Sequence, residues 1–383
     1  MKYLITDLNI KLDGHRFGFM NNLLHYAGEN FREDEFVFLT NRSGDFRLES
    51  RYAHIRALQL SPLEQAGIDA DATALKKARV EWEIICKYAA DLEADRVILM
   101  FLDSYQAEIG KSKTPFKISG IWFAPYSRME AEGSSLSQKA KMLLTKTRKK
   151  LTMEWALRNP NLDKIFILND EEMPGWLNQG ETRFYTLPDP YFGYPPVPQY
   201  DLRKTYGIPE ENLIFLQFGY IDERKNLENI VLAFNALAPE TSRKTTLLVI
   251  GKFKAGFKDH LLSLKKGDYQ MIFRDEFVSD EEMESSFAQS DVILRMNINF
   301  FGSSGIIGVA AYHNKPVIAS DTGVMAGIVT RYGLGSIVNP YAIQEIAAAV
   351  SGFHTQPALR VIDGSRYRTT HDLKAFAKTL LKN

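Results

Sequence analysis

The sequence predicts an α/β protein made of two doubly wound, Rossmann-like domains, and three observations support this prediction. Short apolar strands alternate with longer helical patterns, which is typical of parallel sheets covered by helices on both faces. The alternation is interrupted at 186–200, where five prolines resist both helix and strand as in an interdomain linker, and then restarts. At 383 residues, the chain also suits two cores better than one.

The predicted strands lie on both sides of that linker. Each is an apolar run bounded by turn-forming or charged residues. Those of the first half are 3–6, 35–39, 54–58, 96–101, 117–122 and 164–168. Those of the second half are 213–218, 246–250, 271–273, 292–294 and 317–319. We expect the carboxyl ends of the two sheets to face a central cleft, a favoured place for a ligand.

Composition excludes several classes of function. The 47 basic residues balance 47 acidic ones, so no net charge attracts nucleic acid. The single cysteine, Cys86, rules out an internal disulfide or a cysteine-based metal cluster, and we find no other spacing typical of metal ligands. The first residues, MKYLITDLNIKL, carry charges that a signal peptide lacks, and no apolar run is long enough to span a bilayer. We therefore expect a cytoplasmic protein.

Residues 291–340 are the most informative segment. A strand at 292–294 leads into a loop of small residues, a helical run follows at 306–312, and a second strand lies at 317–319. The loop ends in Gly302, Ser303, Ser304 and Gly305. Such a loop leaves backbone N–H groups free at the positive end of a helix dipole, which suits a phosphate. A tight turn capped by serine would give the same pattern, so the loop alone leaves both interpretations open.

The stretch 213–340 resembles the donor domain of the GT-B glycosyltransferases, most closely the retaining group called glycosyltransferase family 4. The segment 218–234, FGYIDERKNLENIVLAF, resembles the strand, turn and helix that open that domain. The segment 303–323, SSGIIGVAAYHNKPVIASDTG, resembles its diphosphate loop. The resemblance implies an acceptor-side domain at 1–190, a donor domain at 191–365, and a helix at 366–383 that returns toward the N-terminal domain.

The resemblance also assigns residues to a nucleotide diphosphate sugar, the donor substrate. Lys225 stands where the family has a lysine on the diphosphate, and 273–294 resembles the segment that carries the nucleotide base. The donor-binding residues that we expect are Gly14, Gly219, Lys225, Glu276, Phe277, Ser303, Ser304 and Gly305. Glu276 could instead be a solvated loop acid. We expect neither metal nor cofactor, since a helix dipole and basic side chains can stabilise the departing diphosphate.

The chain departs from the family pattern at three positions. The family has an arginine directly after the glycine of its first donor strand, but Tyr220 follows Gly219 here. The family also has two glutamates, eight positions apart, whose places are taken by Phe301 and Val309. The sugar could therefore be a deoxy sugar with fewer hydroxyl groups, or be held by displaced ligands, or activity could be lost.

Two residues of the first half are candidates for catalysis. His15 follows Gly14 on a predicted loop, where it could donate to a phosphate or a sugar hydroxyl, or be a surface histidine. Asp103 follows a strand, where its carboxylate could bind acceptor hydroxyls or cap the next helix.

A basic helix is predicted at 138–150, QKAKMLLTKTRKK, where six basic residues accompany several apolar ones and no acid occurs. Such a helix suits an anionic membrane surface, although a solvated helix covering the first sheet would look the same. It lacks the interleaved aromatic residues that nucleic-acid binding favours. Lipid-linked acceptors are common among such enzymes, so the protein could work at the inner face of the cell membrane.

The sequence thus predicts a hexosyltransferase-like enzyme that moves a sugar to a glycan or lipid-linked acceptor in cell-surface polysaccharide synthesis. The resemblance implies retained stereochemistry. One alternative is a catalytically silent subunit that binds nucleotide sugars or serves as a scaffold. The other is a GT-B sugar-nucleotide epimerase.

Overall fold

The computed structural model describes residues 1–10, 15–46, 48–70, 73–129 and 136–382. Contacts divide them into two compact units. Unit 1 contains the described residues up to Pro188 together with 373–382, and unit 2 contains Asp189–Asp372. The sequence predicted these boundaries at 190/191 and 365/366.

Unit 1 is built on a parallel sheet of seven strands in the order β3-β2-β1-β4-β5-β6-β7. The strands are β1 (Lys2–Asp7), β2 (Glu35–Thr40), β3 (Ile55–Gln59), β4 (Arg96–Leu99), β5 (Lys117–Trp122), β6 (Leu162–Leu168) and β7 (Phe184–Leu187). The helices before the boundary are α1 (His15–Asn30), α2 (Pro62–Asp69), α3 (Ala74–Asp91), α4 (Gln106–Lys111), α5 (Leu136–Ala156) and α6 (Met173–Leu177).

Unit 2 is built on a parallel sheet of six strands in the order β10-β9-β8-β11-β12-β13. The strands are β8 (Leu213–Phe218), β9 (Thr245–Ile250), β10 (Gln270–Arg274), β11 (Val292–Arg295), β12 (Val317–Ser320) and β13 (Gly335–Val338). The helices are α7 (Leu202–Tyr206), α8 (Leu227–Asn235), α9 (Pro239–Arg243), α10 (Phe257–Leu264), α11 (Asp280–Gln289), α12 (Gly305–Tyr312), α13 (Gly323–Tyr332), α14 (Ile343–Thr355) and α15 (Ser365–Thr370).

The apolar runs form strands because both faces of each sheet are covered. Every residue of β9 is buried, and its side chains alternate between two apolar clusters. Leu247 and Val249 belong to one cluster, and Leu248 and Ile250 belong to the other. This period-2 alternation accounts for an uninterrupted hydrophobic strand between two layers of helices.

The predicted α/β class with two doubly wound sheets is confirmed, and each of the eleven predicted strands overlaps an observed one. The sequence missed β7 and β13, each of which is one of the two edge strands of its sheet. Each has only four residues, and β13 begins with a glycine, so neither presents a long apolar run.

The proline-rich segment has no regular structure at 188–197, yet it is not a free linker. The Tyr194 N–H donates to a carboxylate oxygen of Glu284 on α11, 3.0 Å away. The Val197 N–H donates to the hydroxyl of Ser285 on the same helix, 2.8 Å away. These bonds attach the segment to unit 2.

The last helix, α16 (Leu373–Lys382), belongs to unit 1. The ring of Phe376 lies 5.2 Å from that of Phe19 on α1, and the Tyr3 hydroxyl donates to the Leu381 carbonyl oxygen at 3.3 Å. The resemblance placed this helix within 366–383. Of the helices in the described residues, none combines the length and apolar character needed to cross a membrane.

Candidate functional site

The candidate site lies at the carboxyl edge of the unit 2 sheet, where the strand order reverses. Successive strands run outward from β8 in one direction and from β11 in the other, so these neighbours form the topological switch point. Ligands of doubly wound sheets bind at such a point. After β8 comes the short 3-10 helix Glu223–Lys225, and after β11 comes the loop that ends at α12. The Ile298 N–H donates to the Arg224 carbonyl oxygen at 3.0 Å, which holds the two segments together.

Gly219 makes room for the lysine that the sequence singled out. Its φ of +107° lies in the region that glycine adopts readily. A Cβ atom at this position would lie only 3.1 Å from Nζ of Lys225. The bare glycine backbone therefore allows the ammonium to sit against the end of β8.

Lys225 is buried, with 8% of its surface exposed, and has a weak partner. Its Nζ donates to the carbonyl oxygen of Phe218 at 3.0 Å. In the part of the chain that the structure describes, no carboxylate lies within salt-bridge distance of it. Burial and the positive charge of Arg295 hold the pKa of Lys225 well below its ordinary value, although Asp222 acts in the opposite direction.

Arg295, at the end of β11, is a site residue that sequence reasoning missed. It is 7% exposed, and its Nε and Nη1 atoms are buried without a hydrogen-bond partner. The guanidinium carbon lies 5.4 Å from the centre of the Phe300 ring. Burial, followed by the charge of Arg224, lowers the pKa of Arg295 to about 10. The available signal was an arginine directly after the apolar strand 292–294.

The two serines of the predicted phosphate loop differ in their contacts. Ser303 Oγ donates to a carboxylate oxygen of Asp189 at 2.7 Å. Ser304 precedes α12 at its N-cap position, is 4% exposed, and has a hydroxyl with no hydrogen-bond partner. Gly305 is the first residue of that helix. The N–H groups in the first turn of a helix have no preceding carbonyl oxygen within the helix to donate to. Ser304 and Gly305 are therefore better placed than Ser303 to bind an anion.

Glu276 and Phe277 follow β10 at the same edge of the sheet, two strands from β8. Glu276 forms an ion pair with Arg274. Phe277 is 70% exposed, so its ring is accessible to a flat ligand such as a nucleotide base.

The two positions where the family has glutamates, 301 and 309, hold apolar residues here and contribute no carboxylate. Val309 is buried in an apolar cluster, and the Phe301 carbonyl accepts the N–H of Val324 at 3.4 Å.

Three site residues were predicted in unit 1, and the structure describes two of them. Gly14 lies outside the described residues. His15 is the first residue of α1, where a loop was predicted. Asp103 lies within the 3-10 helix Leu102–Ser104, and its two carboxylate oxygens accept the N–H groups of Phe123 at 2.8 Å and Ala124 at 3.0 Å. Burial raises the pKa of Asp103, and these bonds give its carboxylate a structural role that the sequence did not predict.

A buried polar network at the end of β1 was also missed. Asp7, which is 4% exposed, lies 2.9 Å from the guanidinium of Arg16 on α1. Glu81 on α3 is almost fully buried and accepts hydrogen bonds from the Asn9 side-chain amide and from the Tyr105 hydroxyl, the latter at 2.9 Å. Burial raises the pKa of Asp7, and Arg16 opposes that shift. Across the described ranges, no group of three or more His, Cys, Asp or Glu side chains could hold a metal ion.

A family model matches part of unit 2. Residues 199–364 match the family model described as "Glycosyl transferases group 1". The search of curated proteins found no match to this sequence.

Solved structures match the whole chain at low identity. Sucrose-phosphate synthase from Thermosynechococcus elongatus is 15% identical with a TM-score of 0.70, over 99% of this chain and 96% of that one. WaaG, a glycosyltransferase involved in lipopolysaccharide biosynthesis, is 14% identical with a TM-score of 0.65, over all of both chains. A structure described as trehalose-6-phosphate from E. coli bound with UDP-2-fluoro glucose is 13% identical with a TM-score of 0.67, over 99% and 98%. The chain has the fold of these proteins, the GT-B fold.

Proposed function

We propose that this protein, which has the GT-B fold and whose residues 199–364 match the model of the group 1 glycosyl transferases, moves a sugar from a nucleoside diphosphate sugar to a glycan or lipid-linked acceptor. The observation that supports this most is the environment of Lys225. A buried ammonium whose hydrogen-bond partner is a carbonyl lies at the switch point of a doubly wound sheet. An uncompensated buried charge is unfavourable, and an anionic ligand would relieve it.

The group that suits this place is the diphosphate of the donor. Its oxygens would accept hydrogen bonds from Lys225, from the Ser304 hydroxyl and from the first N–H groups of α12. These donors are held in place before the ligand arrives, so they would stabilise the negative charge that develops as the diphosphate leaves. The exposed ring of Phe277 would stack on the base. Retained stereochemistry, as the resemblance implies, belongs to the same proposal.

Helix α5 supports an acceptor at a membrane. Its buried residues Met153 and Ala156 pack into unit 1, and an exposed stripe of leucines lies on the opposite side. The stripe consists of Leu136, Leu143, Leu144 and Leu151, all at least 59% exposed. Separations of seven or eight residues correspond to about two helical turns, so these leucines share one side.

Basic residues flank this leucine stripe. Lys139, Lys141 and Arg148 are exposed on the same helix. Lys146 and Lys149 instead donate to the carbonyl oxygens of Met129 and Ala124, both at 3.2 Å. An apolar stripe between cationic side chains suits the cytoplasmic face of an anionic membrane, where a lipid-linked acceptor for cell-surface polysaccharide would be met.

The apolar residues Phe301 and Val309 support a second candidate. Without the two carboxylates, the chain could bind a nucleotide sugar and not transfer it, as a silent subunit does. A coupled assay separates the candidates by following free nucleoside diphosphate with and without membrane extract as the acceptor source. Transfer releases the diphosphate only when acceptor is present, and an epimerase changes the sugar without acceptor. A silent subunit binds the donor and leaves it intact, which would overturn the proposed activity.

A further inference from the structure

Arg295 lies in an environment that is unusual for a buried arginine. It ends an apolar strand, is more than nine-tenths buried, and leaves two of its three guanidinium nitrogens without a hydrogen-bond partner. A buried arginine is normally paired with a carboxylate. Among the described residues, no carboxylate lies within salt-bridge distance of this one.

The sheet brings Arg295 to the end of β8, where Lys225 lies. Val292 and Ile293 of β11 pair with Phe215 and Leu216 of β8. The same register places residue 295 level with Phe218, whose carbonyl oxygen accepts the bond from Lys225. The two cations are close enough for the charge of Arg295 to lower the pKa of Lys225.

The family resemblance led us to expect an arginine directly after Gly219, and this arginine is absent. Tyr220 stands there, and its side chain is 47% exposed. One cation is therefore missing after Gly219, and one unpaired cation is present at the end of the adjacent strand. The Phe300 ring covers one side of that guanidinium, 5.4 Å from its carbon, and so helps to orient the planar donors.

We propose that Arg295 is a specificity-determining residue for the donor, forming with Lys225 a two-cation subsite for the diphosphate and replacing the arginine absent at position 220. Two adjacent cations match two linked phosphate groups better than one, because each phosphate can then take its own counter-charge. The subsite selects nucleoside diphosphates over nucleoside monophosphates. This assignment rests on the proposed function, since it concerns the same ligand.

The test compares Arg295→Met and Arg295→Lys with a control at Arg224, a neighbouring cation that is 59% exposed and pairs with Asp222. Calorimetry would measure the dissociation constants of UDP, GDP and dTDP and of the matching monophosphates. We expect Arg295→Met to weaken diphosphate binding about 10- to 100-fold, the range for hydrogen bonds to a charged group. Monophosphate binding to Arg295→Met should change less than about threefold. Arg295→Lys should bind diphosphates with intermediate affinity, because lysine keeps the charge without the planar donors. The control Arg224→Met should bind both kinds of nucleotide as wild type does.

Three outcomes would overturn the assignment. The first is unchanged diphosphate affinity in Arg295→Met, and the second is an equal loss for diphosphates and monophosphates. The third is a lower melting temperature for Arg295→Met than for wild type, which would show that the guanidinium supports the fold. A wild-type protein that binds no nucleoside diphosphate would instead overturn the proposed function itself, so the two failures can be told apart.

Discussion

Lys225 donates its hydrogen bond to the carbonyl oxygen of Phe218, 3.0 Å away, at the residue where strand β8 ends. A carbonyl supplies only partial negative charge, so it does not balance the full charge of the buried ammonium. In unit 2 this ammonium lies beside an unpaired arginine and close to the switch point of the sheet. An anion bound there would balance both cations.

Replacing Lys225 with methionine removes the charge and keeps most of the volume. We expect nucleoside diphosphate binding to weaken by about 1.5–3 kcal/mol, because a hydrogen bond to a charged group is lost. The free energy of unfolding should not fall, since an unpaired buried charge has been removed. Calorimetry and chemical denaturation measure the two quantities. Lys254→Met is the control, because Lys254 is half-exposed and pairs with Glu223. Unchanged nucleotide affinity in Lys225→Met would contradict the role of Lys225 in binding the diphosphate.

The lowered pKa of Lys225 predicts a pH dependence with a definite sign. Between its folded pKa and the ordinary value of 10.5, the unfolded chain binds one more proton, so this group makes the free energy of unfolding rise with pH. A bound diphosphate favours the charged amine, so nucleotide affinity should fall as pH rises through the same window. Below its own pKa of about 10, Arg295 stays mostly charged. Calorimetric titrations below that pH should show the decline in wild type, and the same decline in Lys225→Met would rule out this explanation.

The two loop serines should respond differently to alanine. Ser304→Ala removes a hydroxyl with no partner in the protein, so nucleotide affinity should fall by about 1.5–3 kcal/mol with little change in stability. Ser303→Ala breaks the bond to Asp189, so it should mainly lower the free energy of unfolding, by about 1–3 kcal/mol. Parallel binding and unfolding curves check both. The reverse pattern would show that Ser303 is the ligand-binding serine.

The apolar residue at 301 predicts a preference among donor sugars. Phe301 cannot accept a hydrogen bond from a sugar hydroxyl through its side chain, and an unpaired buried hydroxyl loses about 1–3 kcal/mol. A methyl group at that edge would gain apolar contact, on the order of 1 kcal/mol. Donors of 6-deoxyhexoses, such as GDP-fucose or dTDP-rhamnose, should therefore outperform UDP-glucose in matched transfer assays. Faster transfer from UDP-glucose would mean that other groups hold the sugar hydroxyls.

The leucine stripe of α5 predicts binding to anionic vesicles that weakens as salt rises, because exposed charges are screened over about 8 Å at physiological ionic strength. Replacing Lys139, Lys141 and Arg148 with glutamine should abolish vesicle binding and leave nucleotide binding intact. A control with the same charge change on α3, at Lys76, Lys77 and Arg79, should bind vesicles as wild type does. Equal binding to neutral and anionic vesicles, or no binding at all, would contradict the proposal that α5 binds an anionic membrane.

The sequence predicted the fold well because both sheets are parallel and buried, and such strands are continuous apolar runs. The β9 segment TTLLVI is one example, since all six residues are buried. The short edge strand β13 was missed because half of its residues are exposed and its pattern is therefore weak. Edge position alone does not explain the miss, because the edge strands β3 and β10 were predicted.

The residues proposed for the site came from two kinds of signal, and their role in binding stays a prediction. Lys225 was proposed from the family resemblance, and Ser304 and Gly305 from a loop and helix start that are visible in the local sequence as well. Arg295 was missed because its burial and its lack of a partner depend on how β11 pairs with β8, which no local pattern records. Asp103 was a candidate for either acceptor binding or helix capping because its strand-end position is visible, whereas its bonds to Phe123 and Ala124 depend on the adjacent strand.

We propose above all that the carboxyl edge of the unit 2 sheet binds a nucleoside diphosphate. Calorimetric titration of the wild-type protein with UDP, GDP and dTDP measures this binding. We expect at least one of the three to bind with one site per chain, and Lys225→Met to weaken that binding at least about tenfold. If none of the three binds, or if binding is the same in Lys225→Met, this edge of the sheet is not a diphosphate site that depends on Lys225.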